Sequence, residues 1–182
     1  MTTFNNKLSI LIVDDTPNNI AVLVDYLSDT HFKVLVARDG ESAIAQAKYA
    51  QPDLILLDVL MPGIDGFETC ARLKNDHALK DIPVIFMTAL SETVDKVKGF
   101  NAGAADYITK PLQHEEVLAR INTHLALRRL QKSLEEKNAY LEHEITAREQ
   151  ADEALHSILH GTASVHMCQV KKPTKLEDKR SV

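Results

Sequence analysis

The chain has 182 residues, enough for one ordinary domain and an appendage. Hydrophobic residues make up 45% and charged residues 26% of the chain, which excludes wholesale disorder. The net charge of −5 argues against a broad nucleic-acid-binding surface, so we expect no nucleic-acid partner. Two distant cysteines, Cys70 and Cys168, provide neither a disulfide framework nor metal-ligand spacing. Because no apolar run approaches about 20 residues and no signal peptide is visible, we expect a cytoplasmic protein without membrane association.

Five short apolar runs alternate with amphipathic segments up to about residue 125. The runs are continuous rather than alternating, which is typical of parallel strands covered by helices on both faces. They lie at residues 8–13, 34–37, 54–57, 84–87 and 107–108.

Five helices are predicted between and after these strands. Pro17 suits the first position of a helix capped by Thr16, and Gly103 is placed to end the fourth helix. Apolar residues at helical spacing mark the five helices in turn: Ile20, Leu23, Val24 and Leu27; Ala43, Ile44 and Ala47; Phe67, Cys70 and Leu73; Val94, Val97 and Phe100; Val117, Leu118, Ile121 and Leu125. This alternation predicts a doubly wound α/β fold, and the flavodoxin-like strand order 2-1-3-4-5 is one of the few remaining topologies.

The composition changes after Leu125, and residues 126–160 contain no glycine or proline. A heptad pattern has d positions at Leu127, Leu134, Leu141, Arg148 and Leu155, and a positions at Gln131, Asn138, Ile145, Asp152 and Leu159. The pattern predicts a coiled-coil stalk with a polar a layer that favours a homodimer, and a single solvated helix is the alternative. We therefore expect a globular domain at 1–125, a helical stalk at 126–160 and a disordered basic tail at 161–182.

Polar residues follow four of the predicted strands at the same edge of the sheet. Asp14 and Asp15 follow the first strand, Asp58 ends the third, Thr88 ends the fourth, and Lys110 follows the fifth. Because the carboxyl ends of parallel strands form the functional edge, these side chains are expected to meet there. Carboxylates about 4 Å apart repel by about 4 kcal/mol per pair at an effective dielectric constant near 20. A cation would offset this repulsion, and all-oxygen ligands suit Mg²⁺.

The chemistry of these residues favours phosphoryl transfer. A carboxylate can attack a phosphoryl group, and Asp58 is the best-placed nucleophile. Asp14 and Asp15 would hold the metal, while Lys110 and Thr88 would contact phosphoryl oxygens. The competing structural explanations are a capping and turn role for the aspartate pair before the helix that starts at Thr16 and Pro17, and an ordinary surface position for Lys110.

The segments that carry these residues closely resemble the receiver domains of response regulators. The resemblance covers residues 8 to about 125 and runs through LIVDD (11–15), LILLDVLMPGIDGFE (54–68), IPVIFMTAL (82–90) and ADYITKP (105–111). It implies phosphotransfer to Asp58 from a histidine kinase or a phosphotransfer protein. The family implies a switch that assists only its own phosphotransfer and dephosphorylation, rather than a metabolic enzyme.

The same resemblance implies a role for each site residue. Mg²⁺ would be bound directly by Asp15 and Asp58, with help from Asp14 and the backbone carbonyl of Leu60. Thr88 corresponds to the switch hydroxyl of the family, Lys110 to its phosphate-pairing lysine, and Tyr107 to its switch aromatic. The bond between Lys110 and Pro111 is expected to be cis.

The region beyond the stalk is similar to linkers that precede GAF-type sensory domains. This similarity, carried by residues 141–165, implies that the chain is a fragment of, or a partner in, a larger multidomain regulator. Our hypothesis is that phosphorylation alters packing or register in the stalk dimer and so relays the signal. The alternative is a dimerising pseudo-receiver scaffold that is never phosphorylated.

Overall fold

The computed structural model describes residues 7–28, 30–89 and 101–167, with side chains described as far as Leu159. The chain divides into two compact units, Met1–Gln131 and Lys132–Val182. Among the described residues, no helix has the length and apolar character needed to cross a membrane.

The first unit contains a five-stranded parallel sheet. The strands are β1 (Ser9–Val13), β2 (Lys33–Ala37), β3 (Leu54–Asp58), β4 (Val84–Thr88) and β5 (Asp106–Thr109), and their order is β2-β1-β3-β4-β5. Every neighbouring pair is parallel. The flavodoxin-like fold and its strand order 2-1-3-4-5 are therefore confirmed.

The described helices are α1 (Pro17–Ser28), α2 (Gly40–Ala50), α3 (Gly66–Asn75) and α4 (His114–Met167). Two of them begin with a side-chain cap: Asp39 accepts a hydrogen bond from the Ser42 amide, and Asp65 accepts one from the Glu68 amide. The helix predicted around Val94, Val97 and Phe100 lies outside the described residues, so α4 corresponds to the fifth predicted helix. Gly103 has a φ of 89°, the left-handed conformation that is common just after a helix.

Two apolar layers cover the faces of the sheet, because successive strand residues point to opposite sides. On one face α2 and α3 pack against alternate strand residues, including Leu11 and Ile55. On the other face α1 and the first turns of α4 pack against the intervening strand residues, including Ile10 and Leu54. Burial on both faces explains why the inner strands β1, β3 and β4 are continuous apolar runs.

Helix α4 changes character along its length. Within the first unit it buries Val117, Ile121 and Leu125. Within the second unit every residue from 132 to 159 is exposed. The helix runs to Met167, beyond the stalk boundary predicted at residue 160, because a single glycine such as Gly161 costs only about 1 kcal/mol in a helix. Residues 168–182 lie outside the described part of the chain, so the disorder of the tail stays a prediction.

Candidate functional site

The fold brings the predicted site residues to the carboxyl edge of the sheet. Asp14 directly follows β1, Asp58 is the last residue of β3, and Lys110 directly follows β5. Thr88 is the last residue of β4, one position beyond Met87, which pairs with Asp58. Each side chain is thus positioned by a strand of the sheet, and the strands β3 and β4, which carry Asp58 and Thr88, are buried along their whole length.

Three carboxylates converge at this edge. Asp14, Asp15 and Asp58 each offer an oxygen, and these oxygens all lie within 4.8 Å of one another. Asp14 is fully buried and Asp58 is 6% exposed, whereas Asp15 is exposed. Burial raises the pKa of Asp58, and the neighbouring charge of Asp14 adds to the increase, although Lys110 opposes it. The cluster therefore concentrates negative charge where water screens it poorly.

Lys110 bridges the two buried carboxylates. Its Nζ lies 3.0 Å from Asp14 Oδ2 and 2.9 Å from Asp58 Oδ2. Burial of the ammonium lowers the pKa of Lys110, but the hydrogen bonds and charges of Asp58 and Asp14 outweigh burial and leave the pKa raised. Lys110 is therefore held as a cation inside the cluster, which contradicts its interpretation as an ordinary surface lysine.

Asp14 is held in place by several donors. The Thr16 amide donates to its Oδ1 at 2.9 Å, and Asn19 Nδ2 lies 3.0 Å from each of its carboxylate oxygens. The carboxylate thus accepts bonds from the start of α1 as well as from Lys110. The turn role considered for the aspartate pair is real for Asp14, whose carboxylate accepts the Thr16 amide just before α1, and it coexists with membership of the cluster.

The donor set fits a hard divalent cation. It contains carboxylate oxygens and no sulfur or imidazole ligand, the combination that suits Mg²⁺. Asp15 is the most accessible of the three carboxylates, whereas the oxygens of Asp14 are largely engaged by protein donors. Asp15 can therefore offer a carboxylate oxygen to a cation from the solvent-exposed side of the cluster.

Comparison with known proteins identifies the family. The sequence model of the family described as "Response regulator receiver domain" matches residues 10–122 of this chain. The chain belongs to this family. The response regulator PleD of Caulobacter vibrioides is 42% identical over 114 residues, which are 63% of this chain and 25% of PleD.

Two further relatives extend the comparison. A Vibrio cholerae protein named "Probable cyclic di-GMP phosphodiesterase" is 37% identical over 143 residues, which are 79% of this chain and 32% of that protein. The solved signal receiver domain of a signal transduction histidine kinase from Syntrophus aciditrophicus is 37% identical, with a TM-score of 0.61, and the match covers 65% of this chain and 89% of that one. The chain thus spans a quarter to a third of the two larger regulators that it matches.

Three other residues named from the sequence lie around the receiver site. Tyr107 is half-buried in β5 opposite Phe86 of β4, and the Arg120 guanidinium carbon lies 5.7 Å from its ring centre. Leu60 follows β3 by two residues, and its side chain is 61% exposed. The peptide bond between Lys110 and Pro111 is cis, as the resemblance implied.

Two residues of the receiver site were missed by sequence reasoning. Asn19 contacts Asp14, and its place in the first turn of α1, five residues after Asp14, was the available signal. Gly66 begins α3 so close to β3 that an added Cβ would lie 2.3 Å from the backbone oxygen of Asp58. The signal for Gly66 was a glycine directly after the capping residue Asp65, where a larger residue would favour the helix.

Proposed function

We propose that this receiver domain is a phosphorylation switch in which Asp58 accepts a phosphoryl group from a histidine kinase or a phosphotransfer protein. The observation that carries the proposal is the position of Asp58. This carboxylate is almost buried at the end of a central strand, 2.9 Å from a lysine ammonium and within a group of three carboxylates. A purely structural aspartate would not need two acidic neighbours at the same edge.

The proposed reaction is a displacement at phosphorus. A carboxylate oxygen of Asp58 forms a bond to phosphorus while the bond between phosphorus and the donor's histidine nitrogen breaks. The electron pair leaves with the imidazole, which takes up a proton from water. Lys110 lies within contact distance of Asp58 and would neutralise a phosphoryl oxygen.

The chain supplies a site for Mg²⁺ that suits this chemistry. When bound, the ion would neutralise charge on the acceptor and the phosphoryl oxygens. We assign direct ligation to Asp15 and Asp58 and a supporting role to Asp14, together with the backbone carbonyl of Leu60. The many protein donors around Asp14 and the exposure of Asp15 support this division.

The response to phosphorylation is assigned to Thr88 and Tyr107. Thr88 is 6% exposed at the end of β4, next to the strand that carries Asp58. We propose that its hydroxyl donates to a phosphoryl oxygen and that the Tyr107 ring then turns inward. The position of Tyr107 on the neighbouring strand, half-buried rather than locked in the core, supports this role.

The signal would leave the receiver through α4. This helix begins three residues after Pro111 and continues into an exposed segment with leucines at heptad spacing. We propose a receiver at 1–125 followed by a dimerising stalk that begins at residue 126, in a cytoplasmic regulator. The partial coverage of PleD and of the Vibrio cholerae relative supports a fragment of, or a partner in, a larger multidomain protein.

The test is the intact mass of the full chain after incubation with acetyl phosphate and Mg²⁺. We expect one phosphoryl adduct that requires Mg²⁺ and is absent from Asp58→Asn. A matched control is Asp76→Asn, which removes a carboxylate outside the cluster and should leave the adduct unchanged. If the wild-type chain forms no adduct with this donor or with a histidine phosphodonor, the pseudo-receiver scaffold becomes the better explanation.

A further inference from the structure

The guanidinium of Arg120 lies against the ring of Tyr107. Its central carbon is 5.7 Å from the centre of the ring. A cation within about 6 Å of an aromatic ring is attracted by the negative charge of the ring face, and the attraction grows as water is excluded. The Arg120 side chain is 32% exposed, so water screens the contact only in part. The contact joins the proposed switch ring on β5 to helix α4.

Two carboxylates hold this guanidinium in place. Nη1 of Arg120 donates to both carboxylate oxygens of Asp106 at 2.8 Å. Nε and Nη2 each lie 2.9 Å from Oε1 of Glu116, one turn earlier in α4. All three nitrogens are therefore engaged with carboxylates, and these charge-assisted bonds fix the plane of the guanidinium. Arg120 cannot follow the ring of Tyr107 without giving up at least one of them.

The carboxylate of Asp106 is itself fixed beside Tyr107. The two residues are neighbours in β5, and Asp106 Oδ1 accepts a hydrogen bond from the Tyr107 amide at 2.8 Å. Its Oδ2 also lies 3.0 Å from Nε2 of His124, a side chain that is only 13% exposed. The backbone of Tyr107 is thus tied to the guanidinium through Asp106. Rotation of the tyrosine side chain remains free to change the contact, and a jump between staggered χ1 wells would carry the ring several ångströms away.

We propose that Arg120 is a positioning residue that holds the Tyr107 ring in its unphosphorylated orientation and so opposes the switch. The proposal rests on the phosphorylation switch proposed above and assigns part of its regulation. An equilibrium between two states depends only on contacts that differ between them. The ion pairs of Arg120 can persist in both states, whereas its contact with the ring is lost when the ring turns inward. The strength of that contact therefore sets how much of the free energy of phosphorylation is used in turning the ring.

A purely structural role for Arg120 is the competing explanation. Arg120 would then only tie α4 to β5 through Asp106. Arg72 offers a matched comparison, since its guanidinium also pairs with two carboxylates, Glu68 at 2.8 Å and Glu41 at 2.9 Å. Loss of a structural ion pair lowers stability without preferring either orientation of the ring. The switching equilibrium therefore separates the two roles.

The first experiment measures the affinity of the full chain for beryllofluoride, a stable mimic of the phosphoryl group, by calorimetry in the presence of Mg²⁺. Arg120→Met should bind beryllofluoride about three- to tenfold more tightly than the wild type, because the opposing contact is gone. Loss of a positive charge would by itself weaken the binding of an anion, so a gain cannot come from the change in net charge.

Three further variants control this result. Arg120→Gln keeps a donor for Asp106 but no charge, and it should show the same gain. Arg120→Lys keeps a cation near the ring and should stay close to the wild type. Arg72→Met removes a guanidinium held by similar ion pairs and should leave the affinity unchanged.

A double-mutant cycle and fluorine NMR locate the effect at the ring. Arg120→Met should change nothing in a Tyr107→Leu background, where no ring is left to hold. In chains labelled with fluorotyrosine, the Tyr107 resonance is assigned from its absence in Tyr107→Phe. Without beryllofluoride, Arg120→Met should move this resonance towards the position that it takes in the beryllofluoride-bound wild type. Loss of a purely structural ion pair would not produce that shift.

Three results would overturn the proposal. Equal or weaker beryllofluoride binding by both Arg120→Met and Arg120→Gln would show that the ring contact does not oppose the switch. The same gain in the Tyr107→Leu background would assign the effect to the ion pairs. A wild-type chain that binds no beryllofluoride and accepts no phosphoryl group from acetyl phosphate would instead overturn the proposed function, and with it the switch that Arg120 would oppose.

Discussion

Replacing Gly66 by alanine should damage phosphorylation although it adds only one methyl group. An ideal Cβ at this position would lie 2.3 Å from the backbone oxygen of Asp58 and 2.8 Å from the Cα of Val59. Ordinary contact begins near 3.4 Å, so the start of α3 and the end of β3 must separate by about 1 Å. Both neighbouring atoms belong to the backbone, which cannot move aside as a flexible side chain can. The displaced residue would be the proposed acceptor itself.

The expected effects have different magnitudes on stability and on activity. Overpacking of this kind costs about 1 to 3 kcal/mol, partly offset by the better helix propensity of alanine. A misplacement of about 1 Å in a reacting group can lower a rate by about a hundredfold. We therefore expect Gly66→Ala to remain folded but to accept the phosphoryl group from acetyl phosphate about a hundredfold more slowly. Urea unfolding measures the first effect, and the time course of the intact mass measures the second.

Gly63→Ala is the matched control, three residues before Gly66 in the loop that leads to α3. A Cβ at Gly63 would meet nothing within 4 Å, but the φ of 84° is strained for alanine and should cost about 1 to 2 kcal/mol. The two variants are therefore expected to lose similar stability, while only Gly66→Ala loses the reaction rate. Equal phosphorylation rates for Gly66→Ala and the wild type would refute the argument from backbone contact.

Three further outcomes are expected. Lys110→Met should bind Mg²⁺ about tenfold more tightly in calorimetry, because a competing cation no longer pairs with Asp14 and Asp58. The same variant should nevertheless accept a phosphoryl group more slowly. Unchanged Mg²⁺ affinity would argue against competition between Lys110 and the ion. Burial raises the pKa of Asp106, but hydrogen bonds from α4 side chains and a backbone amide outweigh it and leave the pKa lowered. Asp106→Asn should therefore cost about 1 to 3 kcal/mol above about pH 4, and the difference from wild type should fade as the pH drops through the lowered pKa; a constant difference in acid unfolding curves would contradict this assignment. Leu73→Ala should cost about 2 to 5 kcal/mol in urea unfolding, since the side chain is 1% exposed in the core, and a loss below 1 kcal/mol would mean that the site collapses around the cavity.

The sheet could be predicted because its sequence signal is strong at the inner strands. The inner strands β1, β3 and β4 are buried on both faces, which leaves continuous apolar runs such as 54–57, and a helical pattern lies on either side of each run. The site could be predicted as well, since strand ends of a parallel sheet meet at one edge. Asp14, Asp58 and Lys110 were placed together on that basis, and they lie together.

Contacts that depend on packing could not be read from the sequence. The reach of Asn19 back to Asp14 depends on the direction in which α1 leaves the sheet. The need for Gly66 depends on how closely α3 approaches β3. The continuation of α4 to Met167 was missed because a single glycine such as Gly161 is only a weak signal for the end of a helix.

Lys110 is placed to serve the proposed site in two charge states. Before phosphorylation its ammonium is shared between Asp14 and Asp58, which limits the repulsion between two buried carboxylates. A phosphoryl group on Asp58 would add anionic oxygens to the same space and change the balance of those contacts. The backbone amide of Lys110 also donates to the backbone carbonyl oxygen of Thr88 at 2.8 Å, so the backbones of the two residues proposed to follow the phosphoryl group are already joined. Because a switch is driven only by contacts that differ between its states, this pair is where the receiver would convert added charge into movement.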